Sequence, residues 1–319
     1  MKRSLLSLLL LGALAACNDK PPGQLEPIPR PAGYQEPPKE EAPKRTEPAP
    51  DPNKVVLRWK LAVGTPVAFR LEGTPEAGGS ALKAVYVLQH PQSGDNVLRI
   101  ARNTAPEEGT FSERGFILDG LGSVDRNLAT ILLELPKDPV GVGDTWTLGT
   151  DLVNPEPLGP NFNSKKSDRR NAVKLASLTP EGDDRVATLE YELSELVSGS
   201  LPPGAPLAPG AASETSPLKA APEKGKGKGK KPATAVDHHD ERSRTPLEIT
   251  SEVTFKGSGQ FLVKAGRWRS WQGTLSSKTQ GYTPAPGKSP AQVPPGTLRL
   301  QLTALDSVPA ELLQPAAKK

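Results

Sequence analysis

From Lys54 the chain alternates. Val55, Leu57, Trp59, Leu61 and Val63 take every second position, with Arg58 and Lys60 between them, which is the two-residue period of a strand that buries one face. Gly64-Thr65-Pro66 interrupts the pattern and Val67, Phe69 and Leu71 resume it, so residues 55 to 71 are predicted to form an antiparallel pair. Further strands are predicted at Leu82 to Leu88, Val97 to Arg102, Gly115 to Asp119, Ala172 to Leu178 and Arg185 to Leu196, the last two joined by a Glu181-Gly182-Asp183-Asp184 turn. Alternation returns over Leu247, Ile249, Ser251, Val253 and Phe255. Strands over Gln260 to Lys264 and Gly266 to Ser276 follow, turning at Ala265-Gly266, and Leu298, Leu300 and Leu302 mark the last one. One stretch has another period. Leu128, Ile131, Leu132 and Leu135 recur at i, i+3, i+4 and i+7, with Asp125 as N-cap and Pro136 as stop, and predict an amphipathic helix over Arg126 to Glu134, with a strand as the alternative.

Between these elements lie segments with no period at all. The 319 residues include 36 prolines and 30 glycines, well above the ordinary share of about 12% for the two together. Three stretches, residues 17–53, 201–246 and 281–296, hold 24 of those prolines. The remainder is ordinary in composition for a globular body. The expected fold class is therefore mainly β: an antiparallel curved sheet, half-barrel or sandwich with one short helix, plus a disordered Pro-rich tether and insertion. Its parts are a signal peptide (1–16), a lipidated tether (17–53), a first β part (54–200), the insertion (201–246), a second β part (247–306) and a C-terminal tail (307–319). At about 3.1 Å per residue in polyproline II, the tether reaches at most about 110 Å.

The N-terminal residues read as an export signal: Lys2 and Arg3, an apolar stretch from Leu5 to Ala16, then Cys17. That stretch is too short to span a bilayer. Leu14-Ala15-Ala16-Cys17 resembles the lipobox of bacterial lipoproteins. The resemblance implies cleavage before Cys17, a diacylglyceryl thioether on its sulfur and an acylated amino terminus. One acyl chain binds a membrane marginally and two or more anchor stably, at about 0.8 kcal/mol per buried CH₂. Asn18 rather than Asp after the lipidated Cys favours the outer over the inner membrane. With the sole Cys so used, no disulfide is expected.

The formal net charge of +4 is concentrated in the attachments, and the body holds as many acidic as basic residues. Lys224, Lys226, Lys228, Lys230 and Lys231, spaced by glycines, are candidates for contact with a polyanion, against a solvated loop. No aromatic interleaves them, which argues against nucleic acid. Trp268 and Trp271, three apart in one strand, fall on opposite faces unless a bulge intervenes. A Trp on the outer face with Arg267 and Arg269 would then line a groove, with packing against a second layer as the other reading. His238 and His239 lie in a flexible acidic run without fixed metal geometry, and His90 reads as a turn residue. No catalytic signature, nucleotide loop or metal-spaced set is present, and no cofactor is expected.

The segments VVLRWKLAVGTPVAFRLEG, LPKDPVGVGDTW and GSGQFLVKAGRWRS resemble those of uncharacterised envelope lipoproteins, in which a strand-Gly-strand start, a GD-W turn and a strand with a GR turn recur. The resemblance implies a mainly antiparallel body and carries no activity. The expected function is a non-enzymatic, membrane-anchored binding module for a protein or an apolar ligand. The alternatives are a structural tether contacting anionic envelope polymer through the Lys/Gly loop, and a hydrolase.

Overall fold

The computed structural model describes residues 51–102, 105–203, 212–213, 245–284 and 288–313. The signal, the tether up to Pro50 and the Lys/Gly run lie outside the described residues. The chain first forms a meander of β1 (Val67–Pro75), β2 (Leu82–Gln89), β3 (Asn96–Ala101), β4 (Glu107–Phe111) and β5 (Ile117–Asp119), then α1 (Ser123–Leu133). After β6 (Thr145–Trp146) come the long strands β7 (Asn163–Glu181) and β8 (Asp184–Leu201), then β9 (Ala212–Ser213), β10 (Leu247–Leu262), β11 (Arg267–Gln280), β12 (Tyr282–Thr283) and β13 (Gly296–Leu305). Eleven of them build one antiparallel sheet in the order β5-β4-β3-β2-β1-β13-β11-β10-β8-β7-β6, and β9 pairs with β12 alone. The sheet is open, not a barrel. It is also no sandwich, because the layer over its apolar face consists of α1, the extended segment 55–61 and the connections around residues 148–153 and 291–293.

The alternation holds from Val55 to Trp59 and then ends, since Leu61 is half-buried and Val63 is 57% exposed, and the predicted partner is not the one found. Val55, Leu57 and Trp59 are buried while their neighbours face outward, yet this segment does not pair with β1. Val55 exchanges backbone bonds with Val140, Trp59 N–H reaches the Glu113 carbonyl at 2.8 Å and Lys60 N–H that of Gly266 at 3.1 Å. The segment crosses the sheet's apolar face as a strap, which lets its Trp enter the core. The structure also extends strands where no apolar alternation announces them. The first half of β7 is exposed throughout, and β4 reads Glu-Glu-Gly-Thr-Phe. In the C-terminal tail, a single helical turn at Ala310–Leu312 buries Leu312 against Ala68 and Val87, on the face away from α1.

Helix α1 follows its predicted stripe: Leu128, Ile131 and Leu132 are buried, as is Leu135 beyond its end. Its start differs. Gly122 occupies the N-cap, and Asp125 lies within the first turn, where it ion-pairs with Arg102 and favours the positive end of the helix dipole. At the other end the last carbonyls need donors from outside the helix. Trp59 Nε1 donates to the Leu133 carbonyl and Trp268 Nε1 to that of Leu132, each at 2.8 Å. The same two indoles, with Phe69 and Phe261, form an edge-to-face cluster with centroids 5.1 to 6.5 Å apart. Substituting Trp268 by Phe keeps most of the ring and strands the Leu132 carbonyl. The expected loss is about 1–3 kcal/mol, read from the urea midpoint.

The connection after β6 is held by side chains and, at its end, by an isolated antiparallel bridge between Val153 and Ala291. Asn171 accepts from Leu148 N–H at 2.9 Å and donates back to its carbonyl at 2.7 Å. Glu134 accepts from Gly149 N–H at 2.7 Å, Asn127 from Asp151 N–H at 3.2 Å and Glu195 from Leu152 N–H at 2.8 Å. Burial raises the pKa of Glu134 and Glu195 above the ordinary glutamate value, against the pull of these backbone donors and of Arg114 and Arg169. Burial raises Asp125 likewise, opposed by Arg102. The folded state therefore binds protons at pH values where the unfolded chain does not, so the sign is stabilising on acidification. Exposed Asp183 and Asp144 are shifted down, mainly by the Lys264 ammonium and the Gly141 N–H respectively, and their contribution is lost only as pH falls through those lowered values. Thermal midpoints are expected to stay level from pH 8 to the raised carboxylate range, to rise as pH falls through that range to the ordinary carboxylate values, and to fall below about pH 4. Glu195→Gln should flatten the rise without lowering the midpoint at neutral pH.

Candidate functional site

Trp268 and Trp271 both face the core. The register of β10 against β11 slips between Gln260 and Phe261, so that Gln260 faces Ser270, Phe261 faces Trp268 and Arg269 is the extra residue of a bulge. This single residue restores Trp268 to the same face as Trp271, and both are buried, at 4% and 2% exposure. The predicted outer groove of a Trp with Arg267 and Arg269 is thereby corrected. The two arginines are exposed beside no indole, and Arg269 ion-pairs with Glu181 across the turns. Lipobox residues Leu14, Ala15 and Ala16, the lipidation candidate Cys17 and the loop lysines 224, 226, 228, 230 and 231 lie outside the described residues. His90 is no turn residue: it continues β2 as a parallel bridge to Val63, with its Nδ1 2.8 Å from Asn96 Oδ1, while His238 and His239 are not among the described residues. Among the described residues, no three His, Cys, Asp or Glu side chains gather as metal ligands. Nor is any described helix long and apolar enough to cross a membrane.

The site that the structure does build is on the polar face. One row of cross-strand partners on the core side runs Tyr191, Gly257, Gly273, Leu300 and Gly73, from β8 across β10, β11 and β13 to β1. Three of the five are glycines. A Cβ at Gly273 would lie 2.5 Å from the Phe255 ring, and one at Gly257 2.7 Å from it. With no side chain between backbone and ring, the strands sink onto the aromatic cluster of Phe255, Trp271 and Tyr191. In that cluster the first two stack at 5.4 Å with an 8° tilt, and Tyr191 meets both edge-on. Glycine in a strand interior is the expected mark of such a close approach. The consequence on the other face is an open trough of about 990 Å³, floored by the backbone of this row.

Two rows of outward-facing side chains form its walls. One reads Lys174, Glu190, Ser258, Gln272, Gln301 and Glu72 from β7 to β1. The other reads Glu192, Lys256, Thr274, Arg299 and Thr74 from β8 to β1. Arg170 ion-pairs with Glu192 at 2.7 Å and Arg299 with Glu76 at 3.1 Å. Lys174, Glu190, Lys256 and Glu72 make no ion pair with a described residue, although they are exposed and lie among opposite charges. The sequence pattern ended one strand at Phe255 and began the next at Gln260, with Gly257-Ser258-Gly259 between them, whereas β10 runs through all three. The signal for the trough was in those glycines, once they are read as strand residues in register with Gly273 and Gly73. The other two hollows are also open and polar: one beside Pro136–Pro139 and Trp146, the other beside Asn127, Asp151 and Gln292.

No protein-family model, curated protein or solved structure matches this chain. The trough is thus characterised by its own chemistry. It offers cations, carboxylates, hydroxyls and amides over a closed backbone. Gly273→Ala forces a methyl into the Phe255 ring and is expected to cost about 1–3 kcal/mol as overpacking. Thr274→Ala, one residue on but facing solvent, should stay within about 0.5 kcal/mol, both measured by chemical denaturation.

Proposed function

We propose that the protein is a lipid-anchored, non-enzymatic binding module of the cell envelope, with Cys17 as the acylated residue and the polar trough as the surface that receives its partner. The observation that carries the binding reading is the trough itself: a hollow across seven strands walled by exposed charges of both signs, of which Lys174, Glu190, Lys256 and Glu72 make no ion pair with a described residue. A filled interior weighs against an apolar ligand. The space between sheet and α1 is taken by a continuous cluster that includes Leu57, Trp59, Phe111, Phe261 and Trp271, and the hollows open onto polar walls. A protein partner fits a polar, solvent-open surface better. The anchoring half of the proposal rests on the residue pattern at Leu14 to Cys17, and the outer membrane is the favoured site because Asn18 follows.

Two variants test the two halves separately. Cys17→Ser should move the protein from the membrane fraction to the soluble fraction, and unchanged fractionation would remove the lipid anchor. Thr274→Trp fills the trough from its solvent side. Native mass spectrometry of gently extracted protein should show a bound partner for the wild type and its loss in this variant, at unchanged thermal midpoint. Recovery of the same complex from both would remove the trough as the binding surface.

A further inference from the structure

We infer that the occupant of the trough is an extended polypeptide segment of mixed charge, laid across the strands along the glycine row. This rests on the binding reading above and adds the chemical class of the partner. Neighbouring strands stand about 4.8 Å apart, so the four steps from β8 to β1 cover about 19 Å, the length of some six extended residues at about 3.3 Å each. Along that path the wall charges run negative, positive, neutral, positive and negative. Glu190 and Glu192 stand at β8, Lys256 at β10, the neutral pair Gln272 and Thr274 at β11, Arg299 at β13 and Glu72 at β1. The complement is a chain with a cationic group near each end and two carboxylates flanking an uncharged centre. Ser258, Gln272, Thr274 and Gln301 offer donors and acceptors to the amides between them.

The same walls exclude the other classes. A polyanion would bring its charges over Glu72, Glu190 and Glu192, and a polycation over Lys174, Lys256 and Arg299. Like-charge contact of this kind suppresses wrong partners more strongly than matched charge adds affinity. A glycan or a single-stranded nucleic acid finds no aromatic platform, because Phe255, Trp271 and Tyr191 are buried beneath the floor and not exposed above it. Of the polymers available to an envelope protein, a polypeptide segment carries both signs and amides in one chain.

The test is isothermal titration of the full chain, in mild detergent and at low salt, with four probes: the peptide Lys-Ser-Asp-Gly-Ser-Asp-Ser-Lys, octa-aspartate, octa-lysine and a hexamer of N-acetylglucosamine. The mixed peptide is expected to bind at least tenfold tighter than the other three and to weaken with added salt. Lys256→Glu, an exposed change that leaves the core untouched, should reduce its affinity at least tenfold. In the double variant Lys256→Glu, Arg299→Glu, every charged position along the path from β8 to β1 is acidic, and the preference should move from the mixed peptide to octa-lysine. Equal or tighter binding to the wild type by octa-aspartate or octa-lysine, lost in Thr274→Trp, would overturn the mixed charge of the occupant, and the same result with the glycan would overturn the polypeptide class, each leaving the trough a binding site. Failure of the mixed peptide, or its indifference to Lys256→Glu, would overturn the inference. Only the additional survival of the native complex in Thr274→Trp would also remove the binding reading.

Discussion

Two indole N–H groups donating to the final carbonyls of α1 tie together parts of the chain that have no other reason to meet. Trp59 comes from the strap that precedes the sheet, Trp268 from the start of β11, and the carbonyls of Leu133 and Leu132 from the sole helix among the described residues. An uncapped helix end buried against apolar rings would leave acceptors without donors, at a cost comparable to a lost hydrogen bond for each. The loop at Gly115 shares the constraint. It adopts a positive φ of 77°, and a Cβ there would lie 1.8 Å from the Leu133 carbonyl oxygen. The helix, the strap, the β4 to β5 turn and the central sheet are therefore positioned by one small polar node within an apolar core.

Much of the fold could be read from the residues, because burial on one face writes itself into the alternation of Val, Leu and Phe. β1, β2, β3, β8, β10 and β13 were legible for this reason, and α1 because its leucines change period. What failed to show was whatever depended on partners distant in the chain. Nothing local says that residues 55–63 bond to Val140, Glu113 and Gly266 in place of β1. The exposed half of β7 has no buried face to announce it, and is a strand only because β8 lies beside it. The site was hidden in a related way. Gly257 looks like a break when read alone and Gly273 is lost within a predicted strand, and they become a row with Gly73 only when β1, β10 and β11 are set in register.

Core and candidate site are two faces of one device. The aromatic cluster gains its close packing because glycines let the strands descend onto it, and the descent hollows the opposite surface. Stability and recognition are coupled there, since a side chain added at Gly257 or Gly273 points into the Phe255 ring, and any lift of the strand that relieves the clash raises the floor of the trough. The walls are freer. Their residues project from paired strands into solvent, so their charge can change with little effect on the body beneath. A surface of this kind keeps a rigid shape while its specificity is set by a handful of exposed groups.

The bulge at Arg269 makes chain length matter more than chain identity between Gly266 and Trp271. Side chains of a strand take alternate faces, so the parity of this interval decides which of them point inward. Arg269 itself is exposed, and many residue types would serve in its place. Its removal would not: the count would fall by one, Trp268 would swing out to solvent, and the carbonyl end of α1 would lose a donor more than a hundred positions away in sequence. A residue of little chemical consequence thus acts as a spacer that sets the phase of the strand, and through it the placement of the helix.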